Sequence, residues 1–317
     1  MPAGSFGGQY VWHPAADDHE LARACIDVKA GRYLGAQRVL QDARDDFGTR
    51  AHRSLVLASE AADSDLAERW LAEEPGPESA LLWARVAMLR ALRAADAGDA
   101  HTGTLLGIAE SACERAARLY PRDPTPWVSQ LALARIRRSH HPAPPGLLTA
   151  PPGPWPQFAR VLRLDRFHRE AHHRFLAHFF ARHGGTASAR WDVASYLSHR
   201  APVTSPLRLL PLVTLVEEYD PASLLAYRTW RQPQWVSAAL HGYRNWLPEV
   251  PRYPFTPVLD LSYLAHALYM SRREAEAREV LGAMGPYAAR MPWSAFGDPA
   301  EQLTKARRAL GLAVPAS

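Results

Sequence analysis

The sequence contains very little cysteine, since only Cys25 and Cys113 occur in its 317 residues. These two residues have neither the spacing of a metal site nor the number that a disulfide framework needs. Such scarcity is typical of proteins that fold in a reducing compartment. The first residues, MPAGSFGGQYVWHP, also lack a basic stretch followed by an apolar one, so they do not predict a signal peptide.

Long hydrophobic runs and β-strand patterns are lacking as well. No apolar run approaches the length that is needed to cross a bilayer. Alternating runs rich in Val, Ile and Thr are almost absent, so the chain offers little from which to build a sheet. Ala, Leu and Arg dominate instead, and all three favour helices. We therefore predict an all-α protein of the cytoplasm with no membrane partner.

Several motifs of catalysis and of nucleic-acid binding are also missing. The sequence has no phosphate-binding glycine loop, no nucleophile elbow and no His-Glu-x-x-His motif. It has no recognisable nucleic-acid motif either. These absences favour a binding protein over an enzyme and argue against a nucleic-acid partner.

Positive charge is concentrated in one stretch of the chain. The formal net charge is +5, and residues 158–200 hold eight arginines against Asp165, Glu170 and Asp192. Lysine is very scarce. Two interpretations stay open, namely a solvated arginine-rich surface or a face that attracts an acidic protein, a phosphate or a nucleic acid.

A pattern of small residues recurs three times at one spacing. An alanine is followed after seven residues by a turn residue and after five more by a second alanine. A positive φ at the turn suits glycine, and small side chains let two antiparallel helices approach closely. The copies are Ala24–Gly31–Ala36, Ala177–Gly184–Ala189 and Ala265–Arg272–Ala277, the last with arginine at the turn.

This spacing resembles that of the tetratricopeptide repeat, in which a small residue, a turn glycine and an alanine recur within one helix pair. The central segment has an Asp, then His-x-x-Ala-His-His at residues 168–173, a Gly-Gly-Thr turn at 184–186, an aromatic-bearing helix and Ala201-Pro202. In this form it resembles, over residues 110–220, a group of bacterial proteins of the same type with no assigned role. The resemblance implies a right-handed solenoid of antiparallel helix pairs, here with irregular repeats, and a concave groove that binds a protein or peptide.

Proline divides the chain into regions. The segment 139–156, SHHPAPPGLLTAPPGPWP, contains seven prolines and cannot form a helix. We predict a flexible tail over residues 1–12, a helical lobe over 13–138 and a second helical lobe over 157–317. The segment 139–156 is either the linker between the lobes or a loop that covers a groove.

One group of residues suggests a metal site. On a helix, Asp165, His168 and His172 would share one face, and such a set can bind zinc or iron. The alternative is that Asp165 caps the helix and that the histidines have structural roles.

A second group suggests a binding groove. His178 and His266 occupy equivalent positions of two copies, and the resemblance places that position in the groove. Arg174 and Arg182 lie a turn on either side of His178, and Tyr269 would follow His266. This groove would suit an acidic peptide or a terminal carboxylate. The alternative is that both histidines are packing residues.

The sequence therefore supports two functional hypotheses. The first is a non-enzymatic, cytoplasmic helical-repeat scaffold that binds a protein or peptide in the groove and needs no cofactor. The alternative is a metal-dependent enzyme in which Asp165, His168 and His172 hold zinc or iron and His173 or His178 acts as acid or base.

Overall fold

The computed structural model describes residues 10–138, 140–143, 151–219 and 226–314. The prediction of an all-α chain is confirmed for these residues, which form helices and, apart from two isolated β-bridges, no β-structure. The helices are α1 His19–Lys29, α2 Leu34–Asp42, α3 Phe47–Ala61, α4 Leu66–Glu73, α5 Pro77–Ala97, α6 Thr102–Leu119, α7 Thr125–Leu133, α8 Trp155–Leu162, α9 Arg169–Ala177, α10 Ala187–Arg200, α11 Leu210–Glu217, α12 Ala226–Thr229, α13 Pro233–His241, α14 Val258–Met270, α15 Glu274–Ala283 and α16 Pro299–Ala309.

The chain divides into two compact units. Unit 1 comprises Met1–Asp17 with Trp191–Ser317, and unit 2 comprises Asp18–Arg190. The proline-rich segment 139–156 thus belongs to unit 2, although residues 139 and 144–150 lie outside the described part of the chain. Residues 1–9, most of the tail expected from the sequence, also lie outside it.

Helix α5 is the centre of unit 2. It packs against α3, α4, α6 and α7. Pro77 opens its first turn, where no backbone N–H donor is needed, and Gly98 ends it with a left-handed backbone. Its buried apolar side chains include Leu81, Val86 and Met88. The longest helix of the described residues therefore builds its core from an apolar stripe that the sequence shows directly.

Aromatic packing fixes the position of α9, which contacts α3, α7 and α8. Phe175 stacks on Phe158 of α8 with ring centroids 4.2 Å apart, and Trp155 meets Phe175 edge-on at 4.6 Å. Phe179 then packs so closely over Gly153 that a Cβ atom there would lie 2.6 Å from its ring. These contacts hold the C-terminal end of α9 against the backbone of residue 153.

The three turn positions of the recurring pattern share one backbone conformation. Gly31, Gly184 and Arg272 have φ values of +76°, +85° and +63°. The first and third copies are helical hairpins, α1–α2 and α14–α15, in which the helices pack on each other. The second copy differs, because a 3-10 turn at Ala181–His183 lies between α9 and Gly184.

Unit 1 is built around α14, which contacts α11, α13 and α15. Trp230, Trp246 and Trp293 are buried in this unit, consistent with the use of tryptophan to fill wide gaps between helices. Thr256 donates its backbone N–H to the Asp17 carboxylate at 2.7 Å, which ties the N-terminal residues of the unit to the start of α14.

Candidate functional site

The residues of the predicted metal site do not share a helix face. Helix α9 begins only at Arg169, so Asp165 and His168 precede it. The Asp165 carboxylate accepts the backbone N–H of Phe167 at 3.1 Å, and Nδ1 of His168 accepts that of Ala171 at 3.3 Å. Capping of α9 by His168 therefore replaces the helical spacing that the prediction assumed.

The ligand atoms of this set do not converge either. The oxygen and nitrogen atoms of Asp165, His168 and His172 do not all lie within 4.8 Å of one another. Nδ1 of His172 binds the carbonyl oxygen of His168 at 2.9 Å, which directs that nitrogen along its own helix. Both imidazoles are buried, and burial lowers the pKa of His172 to about 4. The geometry is that of packed, neutral histidines.

The two cysteines are unsuited to nucleophilic chemistry. Both are buried and reduced. Burial raises the pKa of Cys25 and of Cys113 to about 12, so both side chains are neutral thiols near pH 7. A thiol is a far weaker nucleophile and metal ligand than a thiolate.

Unit 2 also contains buried arginines that the sequence analysis did not identify. Arg85 of α5 is fully buried and binds both carboxylate oxygens of Glu170 on α9, at 3.0 and 2.5 Å. Arg50 of α3 is equally buried and binds Asp123 at 2.7 Å. The sequence signal for them is that both arginines fall on the buried, mostly apolar faces of their helices, where only a paired charge is stable.

Glu170 is held in its charged form by neighbouring arginines. Burial alone would raise the pKa of Glu170, but the guanidinium groups of Arg85 and then of Arg174 hold it at about 2. Arg174, expected to line a groove, instead donates to Glu170 at 3.2 Å. Its guanidinium thus belongs to the interior ion-pair network and is only partly exposed.

The two other predicted groove residues of unit 2 lie in a cluster of basic side chains. We call Arg135, His140, His178, Arg182 and His183 the basic cluster. Its members come from the end of α7, the start of the proline-rich segment, the end of α9 and the following 3-10 turn. Two backbone hydrogen bonds between His141 and Gly153, at 3.0 and 2.9 Å, hold in place the segment that carries His140.

The contacts within the basic cluster centre on one imidazole. Nε2 of His183 lies 3.2 Å from Nη1 of Arg135 and 3.4 Å from Nε of Arg182. The His178 ring meets the His140 ring edge-on, with centroids 6.0 Å apart. Arg135 also forms an ion pair at 2.8 Å with Asp96, whose side chain is exposed.

Burial and neighbouring basic groups lower the pKa values of two histidines in the basic cluster. Burial is the main reason why the pKa of His178 is lowered to about 4, and the neighbouring His140 and His183 lower it further. Burial also lowers the pKa of His183, with smaller contributions from Arg135 and Arg182. Nδ1 of His178 is buried and has no hydrogen-bond partner among the described residues. Such a group of donors favours an anion, which would relieve the repulsion between its members.

The remaining predicted groove residues, His266 and Tyr269, belong to unit 1. His266 is only 2% exposed, which differs from the prediction that it lines a groove. Trp230, Trp293 and Phe296 surround its ring at centroid distances of 5.1, 5.1 and 4.3 Å. This aromatic enclosure makes His266 a core residue, whereas Tyr269 is half-buried.

Arg135, His140 and His183 were missed because no regular spacing connects them. They are brought to His178 by the turn after α9 and by the His141–Gly153 pairing, which are tertiary features. The only sequence signal is the concentration of His and Arg on either side of the proline-rich segment.

Comparisons of the chain with models of protein families, with curated proteins and with solved structures find no match in any of the three. Among the described residues, no helix is both long and apolar enough to span a membrane.

Proposed function

We propose that this chain is a non-enzymatic binding protein that recognises an acidic group of a protein or peptide through the basic cluster. The guanidinium groups of Arg135 and Arg182 and the imidazoles of His178 and His140 supply the donors. The acidic group is a side-chain or terminal carboxylate, for which the planar guanidinium offers two parallel hydrogen bonds.

The observation that carries this proposal is the convergence of two guanidinium groups on Nε2 of His183. Because this nitrogen accepts, His183 is neutral, and its other nitrogen carries the proton. Two guanidinium groups thus lie beside one neutral acceptor, and Asp96 pairs with only one of them, Arg135, among the contacts described above. A carboxylate at this place accepts from the guanidinium groups and gains charge-assisted hydrogen bonds.

The wider proposal is a tetratricopeptide-like solenoid that works in the cytoplasm. It is supported by the hairpins α1–α2, α5–α6 and α14–α15 and by the successive packing of α1 on α3, α3 on α5, and α5 on α7. The left-handed turns at Gly31, Gly184 and Arg272 agree with the spacing of that repeat.

The test is the binding of a pool of fluorescent acidic peptides with free terminal carboxylates, followed by fluorescence anisotropy. Arg182→Glu and His178→Ala should each weaken binding by about tenfold or more. Arg182→Glu replaces a cationic donor with a carboxylate that repels the peptide, and His178→Ala removes an imidazole donor. Amidation of the peptide termini, with the acidic side chains replaced by amides, should abolish binding.

The matched control is Arg38→Glu, which changes the net charge of unit 2 equally but alters an exposed residue of α2. It should bind as the unchanged protein does. Equal affinities for the Arg182→Glu, His178→Ala and unchanged proteins would refute the proposal.

A further inference from the structure

Helix α8 carries a surface of arginines that is separate from the basic cluster. Its outward side, together with the turn after it, exposes Arg160, Arg163 and Arg166, and none of the three forms an ion pair with a carboxylate of the described residues. The single acidic residue of this segment, Asp165, accepts the backbone N–H of Phe167. We call Arg160, Arg163, Leu164 and Arg166 the α8 face.

Two of these arginines are held in place by aromatic rings. The guanidinium carbon of Arg160 lies 3.3 Å from the ring centroid of Trp127, and that of Arg166 lies 5.3 Å from the ring centroid of Phe167. A stacked guanidinium loses less conformational freedom on binding, and its N–H groups lie in the plane of the group and stay available as donors. Arg160 and Arg166 are therefore positioned before any partner binds.

The α8 face also contains an apolar residue. Leu164 is 38% exposed, and the hydrogen bonds from its N–H and from that of Asp165 to the Val161 carbonyl continue the helical turn of α8. Leu164 thus lies on the same side of the helical turn as Arg160, because residues four apart share a helix face, and it directly follows Arg163 in the chain. Ordered cations around an exposed leucine match an acidic segment that contains an apolar side chain.

We infer that the α8 face is a docking surface for an acidic protein segment in which an apolar residue is flanked by carboxylates. This inference does not depend on the basic cluster. A nucleic acid fits less well, because sites for single strands offer aromatic rings on which bases stack, and Arg160 covers the Trp127 ring.

The test uses a fluorescent synthetic peptide with one leucine between three glutamates on each side, and it measures affinity by anisotropy at low and high salt. The double variant R160E/R163E should weaken binding by about tenfold or more, since opposite charges become like charges. Both proteins, with and without this double substitution, are compared in the Arg182→Glu background, in which the basic cluster no longer competes for the acidic peptide, so the tenfold loss in R160E/R163E reports on the α8 face alone.

The matched control is R23E/R38E, in which two exposed arginines of α1 and α2 are reversed. It should retain the affinity of the unchanged protein. Three results would each overturn the inference: no binding of the peptide, equal loss in both double variants, or equal binding of a peptide with glutamine in place of glutamate. Tighter binding of a single-stranded RNA of equal charge would overturn it as well.

Discussion

Arg85 shows how a single buried charge can organise unit 2. Its guanidinium is fully buried and donates to the Ala51 carbonyl, to Ser54 and to both oxygens of Glu170. A buried cation is tolerated only when its donors are satisfied and its charge is balanced. The Glu170 carboxylate accepts two of the Arg85 hydrogen bonds and balances its charge, so it links the first turn of α9 to α5.

We expect Glu170→Ala to lower the free energy of unfolding by about 3–5 kcal/mol, because it leaves the Arg85 charge buried without a counterion. Denaturation followed by circular dichroism measures this loss. The control is Asp63→Ala, which breaks an ion pair with Arg93 whose aspartate is 88% exposed. Its effect should stay below about 1 kcal/mol, as for other surface pairs. Similar losses in both variants would contradict the expectation.

The role of Arg85 could not be predicted from the sequence. Glu170 lies 85 residues away along the chain, and no periodic pattern connects positions at that separation. For the same reason the sequence assigned Arg174 to a groove, although Glu170 holds it. His178 and Arg182 were identified as members of one site because they lie four residues apart.

At the scale of helices, apolar periodicity predicts long segments better than short ones. Leu82, Leu89 and Leu92 lie at helical spacing in the sequence, and this stretch is α5 in the structure. The metal and groove predictions assumed helical spacing from Asp165 to Arg182, but α9 runs only from Arg169 to Ala177. The helix ends there because the next two aromatic residues, Phe179 and Phe180, are buried and the chain turns to place their rings in the core.

The turn between α14 and α15 offers a prediction at this scale. Arg272 has a φ of +63°, a conformation that costs a non-glycine residue about 1–2 kcal/mol. Arg272→Gly should therefore raise the free energy of unfolding by about 0.5–1 kcal/mol, after the greater flexibility of glycine in the unfolded chain is subtracted. Gly184→Ala, at a φ of +85°, should lower it by about 1 kcal/mol. Thermal denaturation measures both changes.

Gly107→Ala is the control for these substitutions. Gly107 lies inside α6 and has open space around its Cβ position. Alanine there should stabilise the protein by about 0.5–1 kcal/mol, because alanine favours the helix. If Gly184→Ala and Gly107→Ala changed stability in the same direction, the backbone conformation would not be the cause.

At the scale of the whole molecule, buried histidines make stability depend on pH. Burial lowers the pKa of His266 from 6.5 to about 3 in unit 1. In unit 2, burial lowers the pKa of His52 and of His172 to about 4. Below pH 6.5 the unfolded chain binds protons at these sites and the folded protein does not. Stability is therefore complete above about pH 6.5 and falls as the pH decreases towards 4.

Glu170, which is paired with Arg85 and Arg174, affects stability in a different pH range. Since the pKa of Glu170 is lowered from 4.5 to about 2, its contribution is present above pH 4.5 and is lost below it. A loss of stability between pH 6.5 and pH 5 therefore belongs to the histidines. Each strongly buried histidine should contribute about 2 kcal/mol to that loss at pH 5.

His266→Phe tests this dependence in unit 1. Phenylalanine suits the aromatic enclosure formed by Trp230, Trp293 and Phe296, and it has no proton to bind. The variant should lose about 2 kcal/mol less than the unchanged protein between pH 7 and pH 5, as measured by chemical denaturation at both values. His19→Ala, which removes an exposed imidazole at the start of α1, is the control and should leave the difference unchanged.

Because unit 1 holds most of the tryptophans, fluorescence should report the change at His266 directly. If the His266→Phe protein lost as much stability as the unchanged protein, this histidine would not be neutral in the folded state at pH 5.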